Sequence, residues 1–379
     1  MKNAPLMSLA EIAESIRYGY TASASDTAIG PKFLRITDIV PPQINWANVP
    51  YCKIDESDQA RFSLQLGDIV IARTGATVGY AKLIRDSEPA VFASYLVRVR
   101  IDSNKADAGY VGRIVESEVY RRFVLSRIGG AAQPNANAKV LSAFRLPIPQ
   151  KAIQRRIASI LSAYDDLIEN NRRRISLLEQ AARLLYREWF VRLRFPGHEQ
   201  VRMEDGVPEG WGRMPLGDLL ILQRGFDLPA KNREEGPYPI YASTGINGYH
   251  KLAKVKGPGI VTGRSGSLGI VMYVSGDFWP LNTTLWVKEY KRVGPLFALH
   301  LLSGMKLEQY NGGAAVPTLN RNDVHRIEVL CPPGDILSLF DEYLSPLYQQ
   351  IEMLERSAKL LAKARDLLLP RLMNGDIAV

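Results

Sequence analysis

The side chains that most often carry catalysis are scattered along these 379 residues rather than grouped. No G-x-x-x-x-G-K-[ST] phosphate loop occurs, and the glycine-rich run 263–269 lacks the G-x-G-x-x-G spacing of a dinucleotide site. The histidines and cysteines lack the short spacings of a zinc site: His198, His250, His300, His325, Cys52 and Cys331. The acidic pair Asp165-Asp166 falls in a long predicted helix, on a face that we expect to be solvated. The sequence therefore predicts a protein that is not an enzyme and holds neither a metal nor a cofactor.

The charge balance favours a polyanionic partner without requiring one. There are 48 Lys and Arg against 39 Asp and Glu, a formal net charge of +9. Basic side chains that neutralise phosphates release counterions, which favours binding to nucleic acid. A mildly basic protein without such a partner fits the charge equally well.

Two long amphipathic helices are the clearest structural signal. Apolar residues recur at steps of three and four in each, with one additional step of four in the same place. Every position of the second series follows its counterpart in the first at the same constant offset: Ile153, Ile157, Ile160, Tyr164, Ile168, Asn171, Ile175, Leu178, Ala182, Leu185 and Trp189, then Ile336, Phe340, Tyr343, Leu347, Ile351, Leu354, Ala358, Leu361, Arg365, Leu368 and Leu372. A shared irregularity indicates an internal duplication.

The segments before the helices repeat as well. Residues 69–75 (Ile-Val-Ile-Ala-Arg-Thr-Gly) correspond to residues 260–266 (Ile-Val-Thr-Gly-Arg-Ser-Gly), and residues 129–135 correspond to residues 312–318. At the start of each half, Arg17-Tyr18-Gly19 resembles Arg224-Gly225-Phe226. Short β-branched runs between turn residues predict strands, and one helical pattern lies late in each half.

The predicted fold class is α+β: two strand-rich domains separated by two long antiparallel coiled-coil helices, with a pseudo-two-fold duplication. The predicted domains are residues 1–149, 213–332 and the helices at 150–194 and 333–379, with a linker at 195–212. A helix this long with one apolar stripe needs a partner, and the other copy is the obvious one. We expect Asn171 to be a polar core residue that fixes register, and Arg365 to lie at the seam edge.

Targeting signals are not evident. No apolar run approaches the length of a membrane span, and the first residues lack the apolar core of a secretion signal. Two cysteines argue against a disulfide framework, so we expect a cytoplasmic protein with no membrane partner.

Within the helices, the sequence resembles a known family. The stretch Asp165–Gln180 with Arg187-Glu188-Trp189-Phe190 looks like the central helix of the specificity subunits of Type I restriction-modification systems. Residues 367–377 look like the carboxy-terminal region of that family, and the turn 73–79 is similar to one in its target-recognition domains.

The resemblance implies two target-recognition domains, each reading half of a split sequence in double-stranded DNA. It implies that the helices set the distance between half-sites and dock two methyltransferase subunits, which restriction-translocase subunits then join. Cofactors would belong to those partners.

Base-contact residues cannot be carried over by motif, so candidates follow from chemistry and from the duplicated loops. The candidate DNA-binding residues are Arg73, Thr74, Thr77, Tyr95, Gln133, Asn135, Asn137, Arg264, Ser265, Ser267, Asn282, Thr283, Thr318, Asn320 and Arg321. Candidate phosphate contacts are Lys32, Arg35, Lys231 and Lys251. The alternative is that the glycine turns are structural and that Arg73 and Arg264 only meet phosphates. Two other functions stay open: a protein-binding coiled-coil adaptor, and the specificity module of another restriction-methylation enzyme.

Overall fold

The computed structural model describes residues 4–86, 88–128, 134–313, 316–377 and 379. The chain divides into two compact units, Met1–Glu169 with Ala358–Val379, and Asn170–Ser357. Each unit contains one strand-rich domain and a segment of each long helix. The strand-rich domain of the first unit is called the first head (residues 4–148), and that of the second unit is called the second head (residues 212–331). The mixed α+β class and the duplication are therefore confirmed.

The first head is built around a four-stranded antiparallel sheet of order β2-β7-β4-β5. Strands β3 and β6 form a parallel pair, and β1 and β8 form an antiparallel pair. All four residues of β4 are buried, as its continuous apolar sequence predicts. The strands are β1 (Leu6–Ser8), β2 (Ala13–Tyr18), β3 (Lys32–Leu34), β4 (Ile69–Ala72), β5 (Ala81–Leu83), β6 (Ala90–Phe92), β7 (Leu96–Ile101) and β8 (Arg145–Pro147).

Short helices cover this sheet. Buried Tyr110 and Tyr120 each donate a hydroxyl hydrogen bond to a backbone oxygen, that of Pro147 at 2.9 Å and that of Leu141 at 3.0 Å. The helices are α1 (Leu9–Ile12), α2 (Ile36–Ile39), α3 (Glu56–Phe62), α4 (Ala108–Val115), α5 (Glu118–Arg127) and α6 (Ala138–Ser142), with 3-10 turns at Trp46–Asn48 and Gly75–Thr77.

The first long helix, α7 (Lys151–Tyr186), continues into a π-helical turn, Arg187–Val191. Its first turn is attached to the first head through Gln154, which is fully buried. The Gln154 Oε1 accepts from the Asp107 N–H at 2.8 Å, and its Nε2 donates to the Pro149 oxygen at 2.7 Å. Both ends of this buried amide are therefore satisfied.

The second head repeats the sheet order of the first, with the antiparallel sheet β12-β18-β15-β16. Strand β13 pairs with β14 and, in parallel, with β17, and β11 pairs with β19. The strands are β9 (Met203–Glu204), β10 (Val207–Pro208), β11 (Gly212–Pro215), β12 (Leu220–Arg224), β13 (Tyr238–Ala242), β14 (Gly245–His250), β15 (Gly259–Gly263), β16 (Val271–Val274), β17 (Trp279–Pro280), β18 (Thr284–Tyr290) and β19 (Glu328–Cys331).

The remaining helices are α8 (Leu216–Leu219), α9 (Pro295–Gly304), α10 (Arg321–His325) and the second long helix α11 (Gly334–Asn374), with 3-10 turns at His198–Gln200, Ala230–Asn232 and Leu307–Tyr310. Within each unit the segments of α7 and α11 run antiparallel. In the first unit Asp165 forms an ion pair with Arg365, and in the second unit Asn171 Nδ2 donates to Ser357 Oγ at 3.1 Å. Asn171 is therefore the buried polar residue that the sequence predicts.

The predicted apolar seam is wrong at Tyr343, near the start of the second long helix. Tyr343 is 56% exposed, whereas the seam residue Phe340 and the neighbouring Leu344 are buried. The reason is that this part of the helix packs against the core of its own head, which extends the buried face to Leu344. The first long helix buries the counterparts Ile157 and Leu161, and its seam residue Ile160 is half-buried.

The expectation of a solvated Asp165 is also wrong. Its side chain is only 19% exposed and forms ion pairs with Arg113 of the first head and with Arg365. Burial lowers the pKa of Arg113 to about 10. The neighbouring side chain of Asp166 is exposed, as predicted. Helical periodicity cannot distinguish these two residues, because a head packs against one side of the helix pair.

Among the described helices, none combines the length and the apolar character that crossing a bilayer requires.

Candidate nucleic-acid interface

In the first head, three separate segments meet where β4 ends. The Arg73 N–H donates to the Tyr95 oxygen at 3.0 Å, and the Arg73 oxygen accepts from the Ala136 N–H at 2.8 Å. The Gly75 N–H donates to the Pro134 oxygen at 2.9 Å. These contacts define the first loop cluster, residues 73–79, 94–95 and 134–137.

The second head forms the same arrangement where β15 ends. The Arg264 N–H donates to the Thr283 oxygen at 2.8 Å, and the Arg264 oxygen accepts from the Leu319 N–H at 2.8 Å. The Gly266 N–H donates to the Pro317 oxygen at 3.0 Å. The second loop cluster is therefore residues 264–269, 282–283 and 317–320. Backbone hydrogen bonds thus bring most of the predicted candidates together in two equivalent places.

Left-handed glycines shape both turns. Gly75 and Gly79 have φ values of 72° and 83°, and Gly266 and Gly269 have φ values of 87° and 84°. Because L-residues with a side chain rarely adopt such values, these glycines have a structural role.

In the first cluster, Arg73 is held over an aromatic ring. Its guanidinium carbon lies 4.9 Å from the centre of the Tyr18 ring, and Nη2 donates to Asn135 Oδ1 at 3.4 Å. The Tyr18 hydroxyl oxygen accepts from the Ala138 N–H at 2.9 Å. Tyr95 is 59% exposed. The cluster thus presents a supported guanidinium, an amide and an exposed aromatic ring.

Several hydroxyl and amide candidates hold the loops themselves. Thr77 Oγ1 donates to the Thr74 oxygen at 3.4 Å, and Thr318 Oγ1 donates to the Val316 oxygen at 3.1 Å. Ser265 and Ser267 are half-buried in their turn. The Thr283 hydroxyl is buried and has no hydrogen-bond partner among the described residues. Gln133 lies outside the described residues.

Two asparagines at equivalent positions cap short helices. Asn137 Oδ1 accepts from the Val140 N–H at 2.9 Å at the start of α6, and Asn320 Oδ1 accepts from the Asn322 N–H at 3.0 Å at the start of α10. Asparagine is favoured at this position because its side-chain oxygen satisfies a free helix N–H. Arg321, the next residue, is exposed.

In the second head, hydrogen-bonded polar and charged side chains take the place that the Tyr18 ring has in the first head. Arg264 Nη1 donates to the Asn282 oxygen at 3.3 Å, and Asn282 Nδ2 donates to Asp227 Oδ1. Asp227 also accepts from Arg224 Nη2 at 3.1 and 3.2 Å. Sequence reasoning missed Tyr18, Arg224 and Asp227. The resemblance at the start of each half was the available signal, but it matched Arg17 rather than Tyr18 with Arg224.

The phosphate candidates are differently placed. Lys32 Nζ donates to the Val49 oxygen at 2.9 Å and lies 4.2 Å from the centre of the Tyr51 ring. Arg35 forms a bidentate ion pair with Asp38, in which Nη2 donates to Oδ1 at 3.0 Å and Nε donates to Oδ2 at 3.1 Å. Lys251 pairs with Glu234 at 2.7 Å, and Lys231 is exposed. The structure therefore gives Lys32 and Arg35 partners inside the head.

In the described part of the chain, no group of three or more His, Cys, Asp or Glu residues is placed to hold a metal ion. Cys52 and Cys331 are free and buried, and burial raises the pKa of both thiols.

Comparison with known proteins gives a consistent picture. A family model described as the Type I restriction modification DNA specificity domain matches residues 6–180 and again residues 208–362. The Type I restriction enzyme MjaIX specificity subunit of Methanocaldococcus jannaschii is 25% identical over 298 residues, which cover 71% of this chain and 69% of that protein. The putative MjaX specificity subunit of the same organism is 23% identical over 98% of this chain and 93% of its own length.

Among solved structures, the S subunit of a Type I restriction-modification system from M. genitalium matches with a TM-score of 0.59 at 16% identity. The match covers 98% of this chain and 97% of that one. At this identity the structural likeness speaks for the fold alone.

Proposed function

Because this chain belongs to the family of Type I restriction modification DNA specificity domains, we propose that it reads a bipartite DNA target and does no catalysis itself. The first head reads one half of the target through the first loop cluster, and the second head reads the other half through the second. The observation that carries this proposal is the duplicated cluster. Two equivalent sets of polar side chains, in two heads of one chain, suit a target with two separate parts.

The long helices are proposed to bind methyltransferase subunits, one on each copy. Exposed leucines support this: Leu177 and Leu184 on α7, and Leu360 and Leu367 on α11, are between 55% and 64% exposed. Each pair is one heptad apart and therefore on one helix face, and the second pair follows the first at the offset that relates the two helices. Exposed apolar stripes of this kind mark interaction sites, and equivalent stripes suit two copies of one partner.

The proposal is tested with the chain and its methyltransferase partner together. DNA from cells that contain both should carry methyl groups at a split motif, and DNA from cells that lack this chain should not. The purified chain alone should neither methylate nor cleave DNA. Exchanging residues 1–149 with those of a relative should change only one half of the motif.

An adaptor that binds only proteins is the alternative function. It predicts no salt-sensitive DNA binding by the assembled complex, and a methylated motif that does not depend on this chain. Methyl transfer by the isolated chain would contradict the non-catalytic part of the proposal.

A further inference from the structure

Tyr18 and Arg224 lie beside the two loop clusters at equivalent positions of the two heads. Each ends the first strand of its four-stranded sheet, and a glycine follows each, Gly19 or Gly225. A β-carbon on either glycine would lie 2.2 Å from a backbone oxygen of the adjacent loop. The backbone therefore follows the same tight path in both heads, and the two side chains emerge at equivalent points.

In the first head this position supports another residue. The Tyr18 ring lies beneath the guanidinium of Arg73, and its hydroxyl oxygen is occupied by the Ala138 N–H. The guanidinium offered by the first cluster is therefore that of Arg73.

In the second head the position carries a guanidinium of its own. Arg224 is held through Nη2 alone, by both oxygens of Asp227. Nε and Nη1 of Arg224 donate no hydrogen bond within the described part of the chain, and its side chain is 47% exposed. Arg264, the counterpart of Arg73, is half-buried and donates through Nη1 to the backbone oxygen of Asn282. Arg224 differs from Arg264 in being exposed and in having a carboxylate as its partner.

The carboxylate beside Arg224 favours a base over a phosphate. Asp227 is 60% exposed, so a phosphate approaching Arg224 would meet its negative charge. The edge of a guanine is neutral and presents two acceptors, O6 and N7, which match two N–H groups on one edge of a guanidinium. In Arg224 that edge consists of Nη2 with either Nε or Nη1. Nη2 has a second N–H for it, because the two oxygens of Asp227 approach Nη2 from one side and share a single N–H. We propose that Arg224 reads a guanine in the half-site of the second head and that Asp227 is the positioning residue that orients it. This proposal rests on the proposed function.

The test uses the complete complex of this chain with its methyltransferase partner. The methylated motif is determined by sequencing for the unaltered chain and for Arg224→Gln, Arg224→Lys and Asp227→Asn. Arg326→Gln is the matched control, because Arg326 also forms an exposed ion pair three residues apart, with Asp323 at 3.8 Å. Binding to matched and mismatched duplexes is measured at several salt concentrations.

Arg224→Gln should remove the preference for guanine at one position of one half-site and leave the other half-site unchanged. Discrimination at that position should fall roughly 5- to 150-fold, the range for one bidentate pair. Arg224→Lys keeps the charge and should relax the same position, because an ammonium group lacks the planar fork. Asp227→Asn should weaken discrimination at that position with little change in the slope of affinity against salt. Arg326→Gln should leave the motif unchanged.

The proposal is overturned if the motif of Arg224→Gln matches that of the unaltered chain. It is also overturned if Arg224→Gln weakens binding equally on all sequences and lowers the salt slope by about one, which would assign Arg224 to a phosphate. A complex of the unaltered chain that methylates no split motif would instead refute the proposed function.

Discussion

At the scale of single residues, the same backbone arrangement supports different chemistry in the two heads. Arg73 is stacked on Tyr18, whereas its counterpart Arg264 donates to the backbone of Asn282. Equivalent loops with different side chains would let one architecture read two unlike half-sites. Backbone hydrogen bonds join the segments of each cluster, and the side chains of Thr77 and Thr318 also bond within their loops.

Arg73→Ala is expected to weaken DNA binding by the complex by roughly 1–3 kcal/mol and to relax one base pair of the first half-site, if the guanidinium reads a guanine. Binding to duplexes altered at single positions measures this effect. If binding instead weakens equally on all sequences, and the slope of log affinity against log salt concentration falls by about one, Arg73 contacts a phosphate. No change in either quantity would leave the turn a structural role alone.

His300 should make the stability of the second unit depend on pH. It is buried against the Tyr186 ring, with Nε2 3.2 Å from the Tyr348 hydroxyl, and burial lowers its pKa to about 4. The unfolded imidazole titrates near 6.5, so on acidification the unfolded chain binds the proton first. The free energy of unfolding should therefore fall between about pH 6.5 and pH 4, by on the order of 3 kcal/mol.

Urea unfolding at a series of pH values measures this dependence. His300→Phe retains a ring but cannot titrate, so its profile should be flatter than that of the unaltered chain over this range. An unchanged slope would show that other groups cause the pH dependence.

At the scale of elements, each head is joined to the helix pair by a polar contact between equivalent positions. In the first unit the contact is the ion pair of Arg113 with Asp165, and in the second it is His300 with Tyr348. Asp165 and Tyr348 are counterparts at the offset that relates the two long helices. One junction is therefore charged and the other neutral.

Asp165→Asn should destabilise the first unit by about 1–3 kcal/mol, because it removes the nearer carboxylate of the buried Arg113 and leaves only that of Glu116, at 3.9 Å. Asp166→Asn changes the exposed neighbour in the same way and should alter the free energy of unfolding by no more than about 0.5 kcal/mol. Urea unfolding of both variants gives the comparison. If both variants lower the free energy of unfolding equally, the ion pair of Asp165 with Arg113 does not stabilise the first unit.

The exposed leucines give the second prediction at this scale. Leu177→Asp with Leu184→Asp should abolish binding of one methyltransferase subunit, and Leu360→Asp with Leu367→Asp should abolish binding of the other. Each double variant should form a complex with a single methyltransferase, whose mass can be measured. Gln350→Asp, an exposed substitution on α11, serves as the control and should bind two. Retention of both subunits by a double variant would place the docking surface elsewhere.

At the scale of the whole molecule, both long helices pass from one compact unit to the other. The unit boundaries fall at Glu169 and Ser357. A heptad inserted after each of these residues would leave every contact within a unit intact. An insertion of this length also keeps the apolar stripes facing their partners, whereas another length would rotate them.

The insertion lengthens each helix by roughly 10 Å. If the helices set the distance between half-sites, the non-specific spacer should grow by up to about three base pairs, since DNA rises about 3.4 Å per pair. Both half-sites should keep their sequences. Sequencing of the methylated motif is the measurement, because affinity can fall for other reasons. An active complex with its original spacer would show that the helices do not set it.

The sequence by itself determined the duplication, the class of the fold and the long helices. These follow from local periodicity and from a constant offset between the two copies, which are properties of the chain and need no knowledge of contacts. Asn171 was recognisable for the same reason, since a polar residue in an apolar series stands out. The two glycine turns were recognisable because a left-handed backbone favours one residue type.

Only the tertiary structure decided which residues meet. Asp165 and Asp166 have the same chemistry, and packing against the first head alone makes one buried and the other exposed. Arg224 and Asp227 join the second cluster because the first strand of the sheet ends beside loops that follow it by tens of residues. Such contacts depend on strand order and on bulges in β2, at Glu14, and in β18, at Lys288. A bulge shifts the register by one residue, and no periodicity in the sequence records it.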